Sequence, residues 1–567
     1  MNYFRTRYLR VFVVAASLAL VGVFVPEITN AASGTSGATF TVAQPWGTIP
    51  DNFNPYAPSG SDAPGTHSCL YQSLYYINAA TGAQTPLLAT SYSWSANNLA
   101  LTVTTRSGVT WSDGKAFSAA DVAFTFNYLK ANPTLDVNGI WTSPLTSVTA
   151  SGANTVVFDF SKPDTPEAVA ILYGTDGAPT DILPEHIWST ITDPATNTNT
   201  APVATGPFTL GSFSGTSVVY TKNPSYFDSA KPSIGSVVFN SVDSDTTAEL
   251  ELENGTIDMS YDYITDAAKT FVAKNPSTNV AFWPSVSANY LYMNDAKAPF
   301  NNLAFRKAVA EDMNTKFIAS RAYFGALSPA TGGAESAVTG PQVAQWFSSS
   351  LKKLEYSYSV KKARATLKTA GYKWSKSGNL ESPSGKALPH MTVLIGGPGW
   401  TDYISAADNV SNELKSIGVD TTVVQEPYST YANDLDKGLY TFAESWGNGN
   451  NSTPYYQYYY MFNPSESAPI GKVATSDWER FTSPVITKAL ATYSGSSSLT
   501  VQKAAMTAIE KTVLTKVPLV PLTGRGNWLD YQTSAFTGFP SPSNPYNDGS
   551  ASDQEGAMLV YLNVQAK

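Results

Sequence analysis

The sequence predicts an α/β protein, and two stretches carry that prediction. Residues 391–424 show the pattern of a strand, a helix and a second strand: Met391 to Ile395 is apolar, the helix ends at Gly418, and Val419 to Val424 is apolar again. Residues 97–130 join an alternating strand to a capped helix. Two parallel strands joined through a helix form the unit from which α/β sheets are built.

The second of these stretches is the better defined. Leu99, Leu101 and Val103 alternate with polar residues, as in a strand with one buried face. Ser118 and Asp121, three residues apart, form a capping box, and apolar residues follow at helical spacing. A strand, a tight turn and a helix therefore follow one another without a break.

The same stretch also carries a longer signature. Residues 106–122 read R-x-G-V-x-W-x-D-G-x-x-F-S-A-x-D-V. This string closely resembles the signature of the family 5 extracellular solute-binding proteins, which deliver peptides, nickel or oligosaccharides to membrane ABC transporters. The resemblance extends over nearly the whole mature chain. It implies an α/β fold of the class II periplasmic-binding-protein type, with two lobes and an inserted third domain.

The resemblance also implies how the chain is divided. We expect a signal peptide over residues 1–32, lobe I from residues 33–65, 203–290 and 526–567, the inserted domain over 66–202, and lobe II over 291–525. We further expect a helix over Cys69–Ile77, a strand over Val280–Asn294 that crosses between the lobes, and a helix over Leu303–Phe324. Ligand binding is expected to close the lobes by a hinge motion.

The N-terminus has the features of a secretory signal. Three arginines lie within the first ten residues, residues 11–25 are apolar, and residues 29–32 provide a small-residue cleavage site. The apolar run is too short for a stable transmembrane helix, which needs about 20 residues. The single cysteine, Cys69, lies too far from the signal to be a lipidated first residue. We therefore expect an exported protein, periplasmic or extracellular, without a lipid anchor.

Composition and motifs argue against several classes of function. The 567 residues carry a net charge of −9, which leaves no basic patch for nucleic acid. The three histidines, His67, His186 and His390, are far apart in sequence, so we expect no metal site. The common catalytic motifs are absent, and no carboxylate pair stands out as a glycosidase pair, which is the enzyme alternative. We expect a monomeric binding protein without cofactor.

Candidate ligand residues of lobe II lie where predicted strands end. The loop 396–402 follows one predicted strand, and Trp446 follows another, Leu439 to Ser445. Open α/β sheets bind ligands at the carboxyl ends of their strands. Asp402 also fits the role of a helix cap. The candidates on this lobe are Trp400, Asp402, Trp446, Asn448, Asn450, Asn451 and Tyr455.

Two more candidates, Trp46 and Asn54, come from the resemblance alone. In the family the first strand ends at the ligand cleft, and both residues follow the predicted strand Thr39 to Ala43. A tryptophan that covers a domain edge is the alternative for Trp46.

The nature of the ligand is predicted from aromatic and amide residues. The chain has 12 Trp and 32 Tyr, whose flat faces can stack on pyranose rings. In oligopeptide-binding relatives the strand end comparable to Trp446 supplies an aspartate for the peptide amine, whereas this loop has asparagines. A buried ammonium without a counter-charge costs several kcal/mol. Residues 399–403 and 477–480 also resemble the branch that binds cellobiose. We expect a neutral, cello-oligosaccharide-like ligand and a membrane permease partner. A peptide is the alternative, because Asp402 or another carboxylate could pair with its amine.

Overall fold

The computed structural model describes residues 37–44, 47–58, 60–175, 178–330, 341–397, 400–447, 453–551 and 554–567. The strands, in chain order, are β1 Thr39–Gln44, β2 Tyr75–Ile77, β3 Gln84–Pro86, β4 Ala89–Trp94, β5 Ala100–Thr105, β6 Leu145–Ala150, β7 Thr155–Phe160, β8 Gly174–Thr175, β9 Ala178–Pro179, β10 Phe208–Ser214, β11 Ser217–Lys222, β12 Ser236–Ser241, β13 Met259–Tyr261, β14 Asn279–Phe282, β15 Ser285–Met293, β16 Lys373–Trp374, β17 Leu380–Glu381, β18 Met391–Gly396, β19 Thr421–Glu426, β20 Phe442–Trp446, β21 Leu519–Gly526, β22 Leu529–Gln532, β23 Phe536–Thr537 and β24 Gln565–Ala566.

The α-helices lie mostly between these strands. In chain order they are α1 Ala119–Ala131, α2 Glu167–Leu172, α3 Glu185–Trp188, α4 Asp245–Asn254, α5 Ala267–Thr270, α6 Leu303–Asp312, α7 Thr315–Ala322, α8 Pro341–Trp346, α9 Val360–Thr369, α10 Thr401–Ser416, α11 Tyr428–Lys437, α12 Tyr455–Phe462, α13 Pro484–Ser494, α14 Leu499–Lys516 and α15 Glu555–Asn563. Among the described residues, no helix is both long and apolar enough to cross a membrane.

Two sheets dominate the described part of the chain. The first sheet has the strand order β10, β11, β12, β1, β13, β22, β14, and β1 runs parallel to both β12 and β13. Phe40 and Val42 on β1 are fully buried, and the ring of Phe40 lies 5.8 Å from that of Tyr561 on α15. The second sheet has the order β19, β18, β20, β15, β21. The α/β fold class is therefore confirmed.

The predicted strand, helix and strand of residues 391–424 are all present. β18 and β19 pair in parallel, with Met391 opposite Thr421, and α10 connects them. β20 also runs parallel to β18, whereas β15 and β21 are antiparallel to their neighbours. The carboxyl ends of β18, β19 and β20 therefore meet at the same edge of the second sheet.

A smaller sheet contains the strand of the signature stretch. β4, β5, β7 and β6 form an antiparallel sheet, and α1 packs on it through Phe126 and Phe158, whose ring centroids are 4.8 Å apart. The capping box is present at the start of α1: Ser118 accepts from the backbone of the first turn, and Asp121 accepts from the backbone N–H of Ser118 at 2.9 Å. The local prediction for this stretch is confirmed.

The predicted helix over Cys69–Ile77 is wrong. Only the turn Thr66–Leu70 is helical, and β2 follows. The apolar spacing is misleading because this segment is buried on every side, so it has no exposed face to define a period. The N–H of Ser73 donates instead to the carboxylate of Glu555 at 2.6 Å, which replaces a helical hydrogen bond.

The predicted strand over Val280–Asn294 is also two elements. It breaks at Pro284, which lacks a backbone N–H, so that β14 belongs to the first sheet and β15 to the second. The chain crosses back between β21 and β22, where the N–H of Asn527 donates to the carbonyl of Pro284 at 3.2 Å. Trp283 and Trp528, one on each crossing segment, are in contact, with ring centroids 4.9 Å apart and planes at 80°.

The helix predicted over Leu303–Phe324 is likewise divided. α6 ends at Asp312 and α7 begins at Thr315. Asn314 lies between them and accepts a hydrogen bond from the N–H of Phe317 at 3.2 Å. A side chain that caps a helix start competes with continuation of the preceding helix, which explains the break.

Candidate ligand-binding site

An aromatic cluster lies at the carboxyl edge of the second sheet. We call Trp400, Tyr403, Tyr428 and Trp446 the tryptophan cluster. The ring centroids of Trp400 and Trp446 are 5.7 Å apart, and each ring also contacts Tyr403, at 5.6 and 6.2 Å. Tyr428 lies almost parallel to Trp446, with planes at 12°. The two tryptophans meet because β18 and β20 are adjacent parallel strands that end at the same edge.

The geometry of the cluster limits where a ligand ring can stack. Aromatic rings in direct contact have centroids about 4.5–7 Å apart, and Trp400 and Trp446 fall within that range. A sugar ring therefore has no room between the two indoles in this arrangement. The available stacking surface is the outer face of the cluster, where Trp400 and Trp446 are half-buried and Tyr428 is exposed.

Hydrogen bonds connect the cluster to the adjacent strand β15. The hydroxyl of Tyr403 donates to Oδ1 of Asn289 at 3.0 Å, and Nδ2 of Asn289 donates to the hydroxyl of Tyr323 at 2.9 Å. Asn289 lies directly opposite Trp446 in the pairing of β15 with β20. Its amide thus fixes the position of Tyr403 relative to the strand that carries Trp446.

Two carboxyl groups lie next in the chain to cluster residues or two positions before them. Glu444 on β20 is buried, and neither of its carboxyl oxygens has a hydrogen-bond partner within the described residues. Burial, and then the charge of Asp402, raise the pKa of Glu444 well above its usual value. Burial also raises the pKa of Asp402 to about 6, although the backbone N–H of Tyr403 opposes this shift. Protonated carboxyl groups at this site can donate as well as accept hydrogen bonds.

One arginine approaches the cluster from β21. The guanidinium of Arg525 lies 5.9 Å from the ring centroid of Trp446. Its positive charge lowers the pKa of Tyr403 against the larger effect of burial, which raises it. The site therefore combines flat rings with two carboxyl groups and a guanidinium, and the buried amide of Asn289 holds Tyr403 in place.

A cavity opens beside the cluster toward the first sheet. It has a volume of about 530 Å³ and is lined by Trp400 and Asp402 and, on its other side, by Asp245, Glu249 and Tyr263. The last three residues lie on or after α4, which precedes a strand of the first sheet. Residues assigned to the two lobes thus face one another across this space.

Comparison with known proteins identifies the family. The model of the bacterial extracellular solute-binding proteins, family 5 middle, matches residues 83–469, more than half of the chain. The chain belongs to this family. Family 5 proteins are the solute-binding components of ABC importers, and they are binding proteins rather than enzymes. The family predicted from the signature at residues 106–122 is confirmed.

Relatives of this family 5 protein differ in what they bind. The nickel-binding periplasmic protein of Escherichia coli (strain K12) is 26% identical over 427 residues, which are 72% of this chain and 75% of that protein. The periplasmic oligopeptide-binding protein of an oligopeptide ABC transporter from Thermotoga maritima is 23% identical, with a TM-score of 0.84, and covers 94% of this chain and 100% of its own. The structure of that protein with bound mannohexaose gives a TM-score of 0.74 at the same identity and coverage.

The remaining predicted site residues of this family 5 protein do not lie in the tryptophan cluster as far as the structure describes them. Asn54 is buried, and its Nδ2 donates to the carbonyls of Pro194 and Asn197, both at 2.9 Å, while its Oδ1 accepts from the N–H of Tyr56 at 2.9 Å. Its side chain is used to hold a loop, so we do not include it in the proposed site. The predicted residues Trp46, Asn448, Asn450 and Asn451 lie outside the described residues.

Tyr455 does not belong to the tryptophan cluster. It begins α12, is buried, and stacks on Tyr493 of α13 with ring centroids 4.9 Å apart. It lines a second cavity, which lies between α12 and residues 137–174. The sequence placed Tyr455 in the same site as Trp446, but the structure gives it other neighbours.

The three histidines each have an acidic neighbour in a different part of the structure. His67 lies 2.6 Å from Asp181, and His186 lies 2.8 Å from Asp113. His390 lies close to Asp420, at 3.0 Å. Within the described ranges, no three histidine, cysteine or acidic side chains are grouped as metal ligands.

Sequence reasoning missed several residues of the site. Asn289, Tyr403, Glu444 and Arg525 were not among the candidates. Glu444 could have been found, because a strand places residues two apart on the same face and Glu444 precedes Trp446 by two. Asn289 and Arg525 gave no comparable signal, since their proximity depends on how distant strands pair.

Proposed function

We propose that this protein is the extracytoplasmic binding component of an ABC importer and that it captures a neutral, cello-oligosaccharide-like ligand. The observation that carries this proposal is the tryptophan cluster together with the carboxyl groups of Asp402 and Glu444, whose pKa values are raised. Flat aromatic faces stack on the C–H faces of sugar rings, and a few placed polar groups orient the hydroxyls. Affinity then comes from stacking and hydrogen bonds, and the protein performs no chemistry on its ligand.

Two further observations support a sugar ligand. Asn448, Asn450 and Asn451 follow Trp446 in the sequence, where peptide-binding relatives supply an aspartate. A protein of the same fold, from Thermotoga maritima, has been crystallised with mannohexaose. Amides satisfy sugar hydroxyls without introducing a charge that needs a partner.

A peptide remains the second candidate because of Glu444. Its carboxyl group is buried beside Asp402 with both oxygens unpaired, and an ionised pair of this kind suits a ligand ammonium. The Thermotoga maritima protein is also named as an oligopeptide-binding protein. The two candidates differ in the charge that the site must hold at neutral pH.

We further propose that ligand closes lobe I, formed by residues 33–65, 203–290 and 526–567, onto lobe II, formed by residues 291–525, with residues 66–202 as an inserted domain. The two crossing segments, with Trp283 and Trp528 in contact, form the hinge. The closed form presents both lobe surfaces to the permease. The protein is exported by its signal peptide and acts as a monomer.

Calorimetric titration against cello-oligosaccharides, manno-oligosaccharides and short peptides tests the proposal. We expect saturable binding of at least one sugar series and no heat from peptides with a free amino terminus. Recovery of the sugar unchanged after incubation would agree with a purely binding role. Tight binding of a peptide, with none of any sugar, would overturn the ligand assignment while leaving the family unaffected.

A further inference from the structure

A second cavity lies between helices of the predicted lobe II and the predicted inserted domain. It has a volume of about 860 Å³ and separates residues 137–174 from α12 and α13. Ligand pockets of roughly 300–1,000 Å³ enclose most of a drug-sized molecule, so this cavity can take a ligand of at least disaccharide size. None of the residues that line it belongs to the tryptophan cluster.

Helix α12 forms a tyrosine wall along this cavity. Residues at positions i and i+4 of a helix lie on one face, and two such pairs occur here. The ring centroids of Tyr455 and Tyr459 are 5.9 Å apart, and those of Tyr456 and Tyr460 are 6.0 Å apart. Tyr456, Tyr459 and Tyr460 keep part of their surface accessible. Two rows of flat rings therefore face the cavity, and their hydroxyls provide donors and acceptors.

An acid with an unpaired oxygen lies on the opposite wall. Glu167 on α2 is 8% exposed, and its Oε1 has no hydrogen-bond partner in the described part of the chain. Burial, and then the charges of Asp164 and Asp136, raise the pKa of Glu167 well above its usual value. Asp164 also lines the cavity; burial raises its pKa to about 6, although Lys162 opposes the shift. A buried polar atom without a partner is destabilising, and a hydrogen bond to a ligand hydroxyl would offset that cost.

Hydrogen bonds hold the two walls of the cavity together. The N–H of Thr165, beside Glu167, donates to the carbonyl of Ser494 at the end of α13, at 2.8 Å. The hydroxyl of Ser497 donates to Oδ1 of Asn98 at 2.7 Å. These bonds join the segment predicted as the inserted domain to the helices of the second wall, so the cavity has a defined width.

The helix that carries the tyrosine wall lies close to the strand that carries Trp446. Gly447 follows Trp446 and lies so close to α12 that an added Cβ would be 2.5 Å from the side-chain amide of Gln457. Gln457 is in the same turn of α12 as Tyr455 and Tyr456. The helix that carries the tyrosine wall therefore begins against the end of β20, the strand that carries Trp446.

We propose that this cavity binds the distal sugar units of an oligosaccharide whose other end stacks on the tryptophan cluster. The inference rests on the proposed function and extends it to ligand length. The tyrosine wall supplies stacking surface, and Glu167 supplies a hydrogen-bonding group for a ring hydroxyl. Chains long enough to reach the cavity bind more tightly than a disaccharide.

Titration of cellobiose and cellohexaose into matched variants tests this inference. We expect the unmodified protein to bind cellohexaose at least tenfold more tightly than cellobiose. The double variant Tyr456→Ala/Tyr460→Ala loses that advantage and keeps its affinity for cellobiose. The double variant Tyr456→Phe/Tyr460→Phe retains the rings and most of the advantage. Tyr358→Ala, which removes an exposed tyrosine elsewhere, changes neither affinity.

The possible outcomes distinguish failure of this inference from failure of the proposed sugar ligand. Equal binding of the two sugars by the unmodified protein, or equal losses for both in the alanine pair, would overturn the inference alone. Absence of binding to either sugar would overturn the sugar assignment and the inference with it. Glu167→Gln retains a donor and an acceptor, so cellohexaose affinity stays within threefold. A larger loss would contradict the role of Glu167 as a neutral donor and acceptor for a sugar hydroxyl.

Discussion

The tryptophan cluster and the tyrosine wall are two aromatic surfaces built by different secondary structure. In the cluster, Trp446 ends a strand and is held opposite Asn289 by strand pairing. In the wall, rings such as Tyr456 and Tyr460 repeat along one helix at a spacing of four residues. The comparison shows that a sheet edge concentrates rings at one point, whereas a helix repeats them along a line. Under the proposed function, the cluster accounts for affinity for a single sugar and the wall for sensitivity to chain length.

The largest effect is expected from Trp446→Ala. Removing the indole face should weaken sugar binding by about 1–3 kcal/mol, because stacking and buried apolar area are both lost. Trp446→Phe keeps a smaller ring and should lose less. Calorimetric titration with cellobiose measures the affinity of both variants. If the alanine variant binds as tightly as the unmodified protein, the tryptophan cluster is not the sugar-binding site.

A smaller effect, on stability, is expected from the two buried glutamates. Burial raises the pKa of Glu444 and of Glu167 above the usual 4.5, so the folded protein binds these protons more tightly than the unfolded chain. Their contribution to stability is complete below about pH 4.5 and is lost as the pH rises through the folded-state pKa. The melting temperature should therefore fall between pH 5 and pH 7.5.

Isosteric variants isolate this contribution. Glu444→Gln and Glu167→Gln cannot titrate, so each should reduce the fall in stability across this pH range, by about 1 kcal/mol. Glu185→Gln, at an exposed position, serves as the control and should leave the fall unchanged. Thermal unfolding followed by circular dichroism at both pH values gives the comparison. A fall of the same size in all four proteins would mean that neither glutamate holds its proton in the folded state.

The smallest effect is expected from Glu444→Gln on sugar affinity. A neutral acid and an amide both offer a donor and an acceptor, so a neutral sugar should lose less than about 0.5 kcal/mol. A peptide whose ammonium pairs with the carboxylate would lose about 2 kcal/mol or more of binding free energy in this variant, because its buried positive charge would have no counter-charge. The size of the affinity change caused by Glu444→Gln therefore distinguishes a sugar ligand from a peptide ligand.

Local patterns in the sequence predicted more of the fold than of the site. The capping box at Ser118 and the unit that contains Trp400 depend on neighbours within about 30 residues, and both predictions are confirmed. Asn289 lies beside Trp446 and Thr523 only because three distant strands pair in one register. Tyr455 stacks on Tyr493, which could not be predicted, because the packing of α12 on α13 is not encoded in the sequence of α12 alone.

The contact between Trp283 and Trp528 has an optical consequence. Two indoles 4.9 Å apart, with planes at 80°, couple their electronic transitions, and the coupling changes with the angle between the rings. Each ring is carried by one of the two segments that connect the sheets, and both rings contact Tyr263. The circular dichroism of this pair can therefore serve as a built-in reporter of the angle between the lobes, read in solution without any attached dye. Replacing either tryptophan by phenylalanine would remove the signal and so identify its source.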